Sequence, residues 1–188
     1  LKLKQQVDPH FLFNSLNALD CLVLYGQNDQ AHTFILKLAG MHRYMLKNEY
    51  LMTISLREEL AFVGMYADLM KVRFQSGFEL EVDVPEEYKN MFVVPCSIQM
   101  LLENALKHNA ASPSDPLAIR ISIEEGKRIR VSNNLRRKKT ANPEDSTRVG
   151  LNYIRQQYMD QAGMEITMWE EDGKYVVELP LIERTNVN

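Results

Sequence analysis

Gln6-Val7-Asp8-Pro9-His10-Phe11-Leu12-Phe13-Asn14-Ser15-Leu16-Asn17-Ala18-Leu19-Asp20-Cys21-Leu22 decides how this chain is read. Proline is tolerated in the first turn of a helix, where its missing N–H costs nothing, so Pro9 marks a helix start or a kink just before His10. At about 3.6 residues per turn, Leu12, Leu16, Leu19 and Val23 form one narrow stripe. His10, Asn14, Asn17 and Cys21 form another on roughly the opposite side. The expectation is a helix that packs through its leucines and turns a histidine and two asparagines to solvent. The plain reading of His10 is a solvated surface histidine. The other is an imidazole with no packing role, open to a visiting group.

Two more helices follow. Gly26-Gln27-Asn28-Asp29 supplies a turn, and about 30–48 carries Ile35, Leu38, Met41 or His42, and Met45 at helical spacing. Leu56, Leu60, Val63, Ala67, Met70 and Phe74 repeat in strict four-three spacing, the seam of a bundle or coiled coil. Ser55 with Glu58 three residues on suits a capping box. Such a seam serves an ordinary bundle core or a dimer stem.

From Gly77 the texture changes. Phe78, Leu80, Val82 and Val84 alternate with acidic residues as in a half-buried strand, which Pro85 ends. Pro95 through His108 reads as an amphipathic helix. Strands at about 117–124 and 127–133 flank Glu125-Gly126. Residues 134–148 are polar and irregular. A helix at about 149–162 stops at Gly163, and strands 164–170 and 174–181 meet across Asp172-Gly173. Helices first and a mixed unit after them predict an α+β chain of two domains, 1–76 and 77–188.

The chain has 188 residues, 45% of them apolar, enough for a sizeable core. With 22 basic against 25 acidic residues the net charge is −3, which gives no electrostatic case for nucleic-acid binding. Cys21 and Cys96 lie far apart in sequence and suit two free thiols in a reducing compartment. No apolar run approaches the roughly 20 residues that cross a bilayer. Leu1-Lys2-Leu3-Lys4-Gln5-Gln6 lacks an initiating Met and reads as helix interior, so the expectation is a fragment of a longer protein.

On the helix 95–108, Ile98, Leu101, Leu102, Ala105 and Leu106 share one face, and Glu103, Asn104, Lys107 and His108 the other. An amide oxygen is a hard ligand of the kind Mg²⁺ takes, and Lys107 or His108 carries charge suited to phosphate. A solvated polar face is the plain alternative. Arg136-Arg137-Lys138-Lys139 is in the same way either a solvated loop or a screen for phosphate charge.

Two of these segments together resemble a known family. Pro9-His10-Phe11-Leu12-Phe13-Asn14-Ser15-Leu16-Asn17 resembles the phosphoacceptor box of the LytS-type sensor histidine kinases of bacterial two-component systems. Val94-Pro95-Cys96-Ser97-Ile98-Gln99-Met100-Leu101-Leu102-Glu103-Asn104-Ala105-Leu106-Lys107-His108 is similar to the N box of those kinases and of the wider GHKL ATPase superfamily. Leu56-Arg57-Glu58-Glu59-Leu60 and Tyr66 through Phe74 match between them. The resemblance implies a helical dimerisation and phosphoacceptor segment followed by a GHKL-type α/β sandwich that binds ATP. It implies His10 as phosphoacceptor and Asn104 on Mg²⁺, with the neighbouring Glu103 polarising the attacking imidazole or supporting the metal shell. Asn14, one turn after His10 on the same face, is placed to orient phosphotransfer or the hydrolysis of a regulator's phosphoaspartate. The family's first glycine box falls on Ile129 through Leu135, with Asn133 where an adenine-reading Asp is expected and Leu135 where a Gly is expected. A later glycine box survives in part as Arg148-Val149-Gly150-Leu151, so Arg148, Gly150 and Leu151 join Lys107, His108 and Asn133 as candidate nucleotide contacts. The implied partners are a second copy of the chain and a response regulator, the LytTR type among the candidates, with no direct nucleic acid. The implied setting is the cytoplasmic portion of an inner-membrane sensor whose spans lie upstream. The alternatives are a dimeric scaffold with a degenerate nucleotide site, and a GHKL ATPase without a phosphohistidine.

Overall fold

The structure is a computed structural model that describes residues 9–138 and 147–183. Three helices lead: α1 (Pro9–Leu24), α2 (Asn28–Asn48) and α3 (Leu56–Phe74). An α/β unit follows. It consists of β2 (Phe78–Asp83), β3 (Phe92–Val93), α4 (Ser97–His108), β4 (Leu117–Glu124), β5 (Arg128–Asn134), α5 (Thr147–Ala162), β6 (Thr167–Glu171) and β7 (Lys174–Pro180). Five strands form one sheet in the order β2-β4-β5-β7-β6. Only the β2–β4 pair is parallel, and the rest are antiparallel. Leu117, Ile119, Ile121, Ile129, Val131, Val177 and Leu179 point to one face of this sheet and are buried. Helices α4 and α5 cover that face through Ile98, Leu102, Leu106, Ile154 and Tyr158. The β6–β7 hairpin turns on Asp172 and Gly173, at φ 49° and 71°, and that pair of left-handed residues is why Asp-Gly marks the turn in sequence.

The helices are not a separate bundle strung ahead of the sheet. A two-residue strand, β1 (Ile54–Ser55), pairs with β3. The first free N–H groups of α3 are satisfied across the same seam, Leu56 N to Met91 O at 2.7 Å and Arg57 N to Lys89 O at 2.9 Å. The Ser55 hydroxyl accepts from Glu58 N, as a helix cap should. Phe62, Val63, Tyr66 and Met70 therefore share one continuous core with Leu101 and Leu102 of α4.

The packing face of α1 differs from the expected one. Phe11, Ser15, Ala18 and Leu22 turn inward, with Ser15 and Leu22 buried and Phe11 stacked on Tyr66 at 5.7 Å. Leu12, Leu16 and Val23, expected in the core, are 39%, 48% and 54% exposed, and only Leu19 of that stripe packs inward. The reason is that α1 is apolar on two sides. Phe11, Ala18 and Leu22 form a second stripe about 100° round the helix, and the aromatic contact with Tyr66 selects it. On α2 the buried residues are Ala31, Phe34, Met41 and Asn48, so Phe34 takes the place expected for Ile35, which is exposed. On α3, Leu56, Val63, Ala67 and Met70 of the expected seam are buried, while Leu60 and Phe74 are half-buried at its edge.

Candidate functional site

Helix α4 is the backbone of the site. Its N-terminus follows Cys96, a buried residue held at φ 62°. Burial pushes the Cys96 thiol up, so it is not a nucleophile. The first turn of α4 is pinned from two sides. The Glu59 carboxylate of α3 accepts from Cys96 N and Ile98 N at 2.9 and 3.1 Å. Tyr158 of α5, fully buried, accepts at its hydroxyl from Val94 N at 3.4 Å. The C-terminus is closed by the chain that leaves β5. Asn109 is buried, donates through Nδ2 to Ala105 O at 2.9 Å and accepts at Oδ1 from Arg136 N at 2.8 Å. Lys138 lays its ammonium on the carbonyls of Leu106 and Lys107 at 3.3 and 3.0 Å, where a cation meets the negative end of the helix.

Between this helix, α5 and the β5–β7 edge lies a pocket of about 310 Å³. Its apolar walls are Leu101 and Ala105 of α4, Val131, Leu135, Leu151 and Val177. Asn104, His108, Asn109, Asn133 and Tyr175 supply polar groups, and Arg137, Lys138 and Glu170 supply charge. A flat apolar slot with a few convergent polar groups is the usual form of a small-molecule site, and its size is at the lower end of such sites.

Asn104 has the most telling environment. Its Nδ2 is buried and, among the described residues, has no hydrogen-bond partner. Buried polar atoms normally have one, so the amide is set for a group outside the protein. A Cβ built on Gly150 would sit 3.6 Å from that Nδ2 and 3.7 Å from Oδ1. The absence of a side chain at Gly150 is what leaves the amide face open. Among the described residues no His, Cys, Asp and Glu gather into a metal cage. Mg²⁺ needs none when it takes one protein oxygen together with phosphates and waters. Asn104 Oδ1 suits such an ion, whereas the unpartnered Nδ2, a donor, suits a phosphate oxygen.

The other candidates divide. Asn104, His108, Asn133 and Leu151 line the pocket together. Burial and then the charges of Lys107 and Lys138 hold the His108 imidazole below its ordinary range, so it is neutral at neutral pH. Asn133 is buried and spends its Nδ2 on Asn134 O at 2.8 Å, which leaves Oδ1 as the atom able to accept. Gly150 stands against Asn104 in the first turn of α5. Lys107 is exposed and lends only its carbonyl, to Lys138. Glu103 is half-buried and accepts from Gln99 Nε2 at 3.1 Å. Asn14 is half-buried on α1. The side chains of His10 and Arg148, and Lys139 entirely, lie outside the described residues. In the basic run, Arg136 pairs with Asp115 and Arg137 with Glu170, so both already carry an acidic partner. Sequence reasoning missed Asn109, which closes the C-terminus of α4, missed Glu170 and Tyr175, which β6 and β7 supply to the pocket, and missed Glu59.

The pocket lies between α4 and the helix that carries Gly150, in an α/β unit behind a helical lead. The chain is similar to the sensor histidine kinases. Residues 1–78 match the family model described as histidine kinase. The sensor histidine kinase/phosphatase LytS of Staphylococcus aureus strain MRSA252 is 38% identical over 106 residues, 56% of this chain and 18% of that protein. The strain Mu50 form is 37% identical over the same span. The chain thus matches about a fifth of the length of these relatives. Among solved structures, the Acinetobacter baumannii histidine kinase AdeS aligns over 96% of this chain and 87% of its own at 12% identity and a TM-score of 0.48. Full-length ShkA in complex with AMPPNP aligns over 90% of this chain and 43% of its own at 18% identity and a TM-score of 0.43. Among the described residues, no helix is long and apolar enough to cross a membrane.

Proposed function

We propose that this chain is the transmitter core of a two-component sensor kinase that phosphorylates itself on His10 from ATP and passes the phosphoryl group to an Asp of a response regulator. The observation that carries the reading is the buried, unpartnered amide of Asn104 facing Gly150 in the same pocket as Asn133 and His108. In this reading the adenine ring enters the apolar slot between Leu101, Val131 and Leu151, and the Asn133 Oδ1 accepts from its amino group. The phosphates run toward Gly150 and the start of α5, where free helix N–H groups favour anions. Asn104 would hold Mg²⁺, which supplies charge neutralisation to the phosphate oxygens. The bond between the γ-phosphorus and the bridging oxygen breaks, ADP leaves, and a P–N bond forms to His10, whose ring gives up a proton. Asn14, one turn from His10, orients the transfer. Such transfers need positioning and charge stabilisation more than covalent help. The division at residue 76 belongs to the proposal, with 1–76 as dimerisation and phosphoacceptor segment and 77–188 as catalytic domain. So does a membrane-bound sensor context.

A second reading, a scaffold with a degenerate site, draws on Asn133, a neutral residue already tied to Asn134 O. Incubation with γ-labelled ATP and Mg²⁺ decides. The kinase reading expects an acid-labile, base-stable label that His10→Gln abolishes while the protein stays folded. No label on the unmodified chain, or one that survives His10→Gln, refutes it.

A further inference from the structure

Glu59 is the most deeply buried acid among the described residues, at 0% exposure. Among the described residues no Lys or Arg forms an ion pair with it. Its two oxygens are met by donors from two other helices. Tyr44 of α2 donates its hydroxyl to Oε2 at 2.7 Å. Cys96 N donates to the same oxygen at 2.9 Å, and Ile98 N and Gln99 N donate to Oε1 at 3.1 and 3.5 Å. Burial pushes the Glu59 carboxyl up, and the hydrogen bonds from Tyr44 and the three backbone groups oppose that. Tyr44 is itself fixed by its ring, which stacks on Phe62 of α3 at 4.1 Å and 9°.

A buried carboxylate without a counter-ion is costly, and several donors must compensate it. Ordinary packing has no need of one at this point, because a Leu would fill the volume. What the carboxylate does is join three elements. It takes the buried N–H groups of the first turn of α4, where the helix dipole favours negative charge. It takes the Tyr44 hydroxyl from α2, the helix that follows the phosphoacceptor segment. Gln99, whose backbone is on Glu59, donates its side chain to Glu103, the neighbour of Asn104. Helix α4 is short and held at both ends, so a shift or rotation at Glu59 moves Asn104 by a similar amount.

We propose that Glu59, oriented by the Tyr44 hydroxyl, is a positioning residue that sets the seat of α4 and couples α2 to the Asn104 end of the nucleotide pocket. The inference rests on the pocket's being an ATP·Mg²⁺ site. It makes the hydrogen bond from Tyr44 the route by which displacement of the α1–α2 hairpin reaches the phosphate-binding end. Since coupling between sites is reciprocal, nucleotide must also be felt on α2.

Tyr44→Phe removes the hydroxyl and keeps the ring on Phe62. Glu59→Gln keeps the shape but sets an NH₂ group among donors, and if it fails to fold, Tyr44→Phe carries the test alone. ATP affinity is measured by calorimetry with Mg²⁺ and with EDTA, beside a urea midpoint that reports folding. Amide exchange of α2 around residue 44 is followed with and without ATP·Mg²⁺. The expected result is that Tyr44→Phe, folded at the working condition, loses at least about fivefold of the Mg²⁺-dependent gain in affinity, the lower end of couplings between sites. Its affinity in EDTA stays within twofold. The unmodified chain slows α2 exchange on binding and Tyr44→Phe does not. A purely structural role would lower the urea midpoint while leaving the Mg²⁺-dependent gain and the α2 response intact, and that outcome overturns the proposal. If the unmodified chain binds no ATP in either condition, the ATP reading fails instead.

Discussion

Gly150→Ala separates the nucleotide reading from a merely structural one, because it is expected to stabilise the protein and damage the site together. The new methyl would lie 3.6 Å from Asn104 Nδ2, 3.7 Å from Oδ1 and 3.7 Å from Met100 Cε, all ordinary contacts that require no backbone shift. Gly150 lies within α5, and its φ is in no region that excludes a side chain. Replacing a helical Gly by Ala is worth roughly 0.5–1 kcal/mol. At about 2–4 °C per kcal/mol for a chain of this size, the melting temperature rises by roughly 1–4 °C. The same methyl covers the open face of the Asn104 amide. If that amide serves a Mg²⁺ ion on the phosphates, the loss is on the scale of one charge-assisted contact, about 1.5–3 kcal/mol. That converts to roughly 10–150-fold in affinity for ATP·Mg²⁺. Differential scanning calorimetry without nucleotide and titration calorimetry with ATP·Mg²⁺ read the two effects. A variant that melts higher and binds ATP·Mg²⁺ as before would refute the assignment of Asn104. One that melts several degrees lower would show that the space beside Asn104 is not open.

Three further outcomes follow from the pocket. Asn133→Asp turns a neutral acceptor into a charged one, so ATP binds up to about tenfold tighter and GTP gains nothing, the factor being that of about 1.4 kcal/mol; equal affinities in a titration of both proteins would mean that residue 133 does not read the base. His108 is held below its usual value of 6.5 by burial and then by Lys107 and Lys138, with Arg137 and Glu170 also on the pocket. Its imidazole is therefore mostly neutral in the free protein at pH 6.5. Phosphate charge raises it, so binding takes up a proton there and affinity grows as pH falls toward that value; calorimetry at pH 6.5 in two buffers of different ionisation enthalpy measures the uptake, and none observed removes His108 from the phosphates. Asn109→Ala strips the acceptor from the part-buried Arg136 N and the donor to Ala105 O, a loss of about 1 kcal/mol for each hydrogen bond; an unchanged urea midpoint would contradict that role for the 135–138 segment.

What was legible in the sequence follows the strength of local signals. The amphipathic helix expected over 95–108, the Asp-Gly hairpin and the Ser55 cap each rest on chemistry confined to a few neighbouring residues; the hairpin and the cap stand where expected, and the helix begins two residues later, at Ser97. Strands β1 and β3 have only two residues each and gain their identity from pairing with one another, so no periodicity reveals them. The face of α1 was ambiguous because its apolar residues occupy two stripes, and the choice between them is made by Tyr66 of another helix. Around the pocket, a motif marks Asn104 and Gly150 in the sequence, whereas Glu170 and Tyr175 come from strands that carry no motif.

Glu59 shows the limit most clearly, and also the signal that was there. Residues 56, 59, 63, 66 and 70 follow a three-four repeat on α3, and all five are buried. The expected seam instead ran through Leu60 and Ala67, which gave Glu59 no place in it. An acidic residue in register with Leu56, Val63, Tyr66 and Met70 contradicts the pattern around it. Buried acids persist only where donors compensate them. The donors here are the open end of α4 and a tyrosine of α2, neither visible from α3 alone. A charge placed against its own hydrophobic register is thus a pointer to a helix end that it must serve, and in this chain that helix end is the one that carries Asn104.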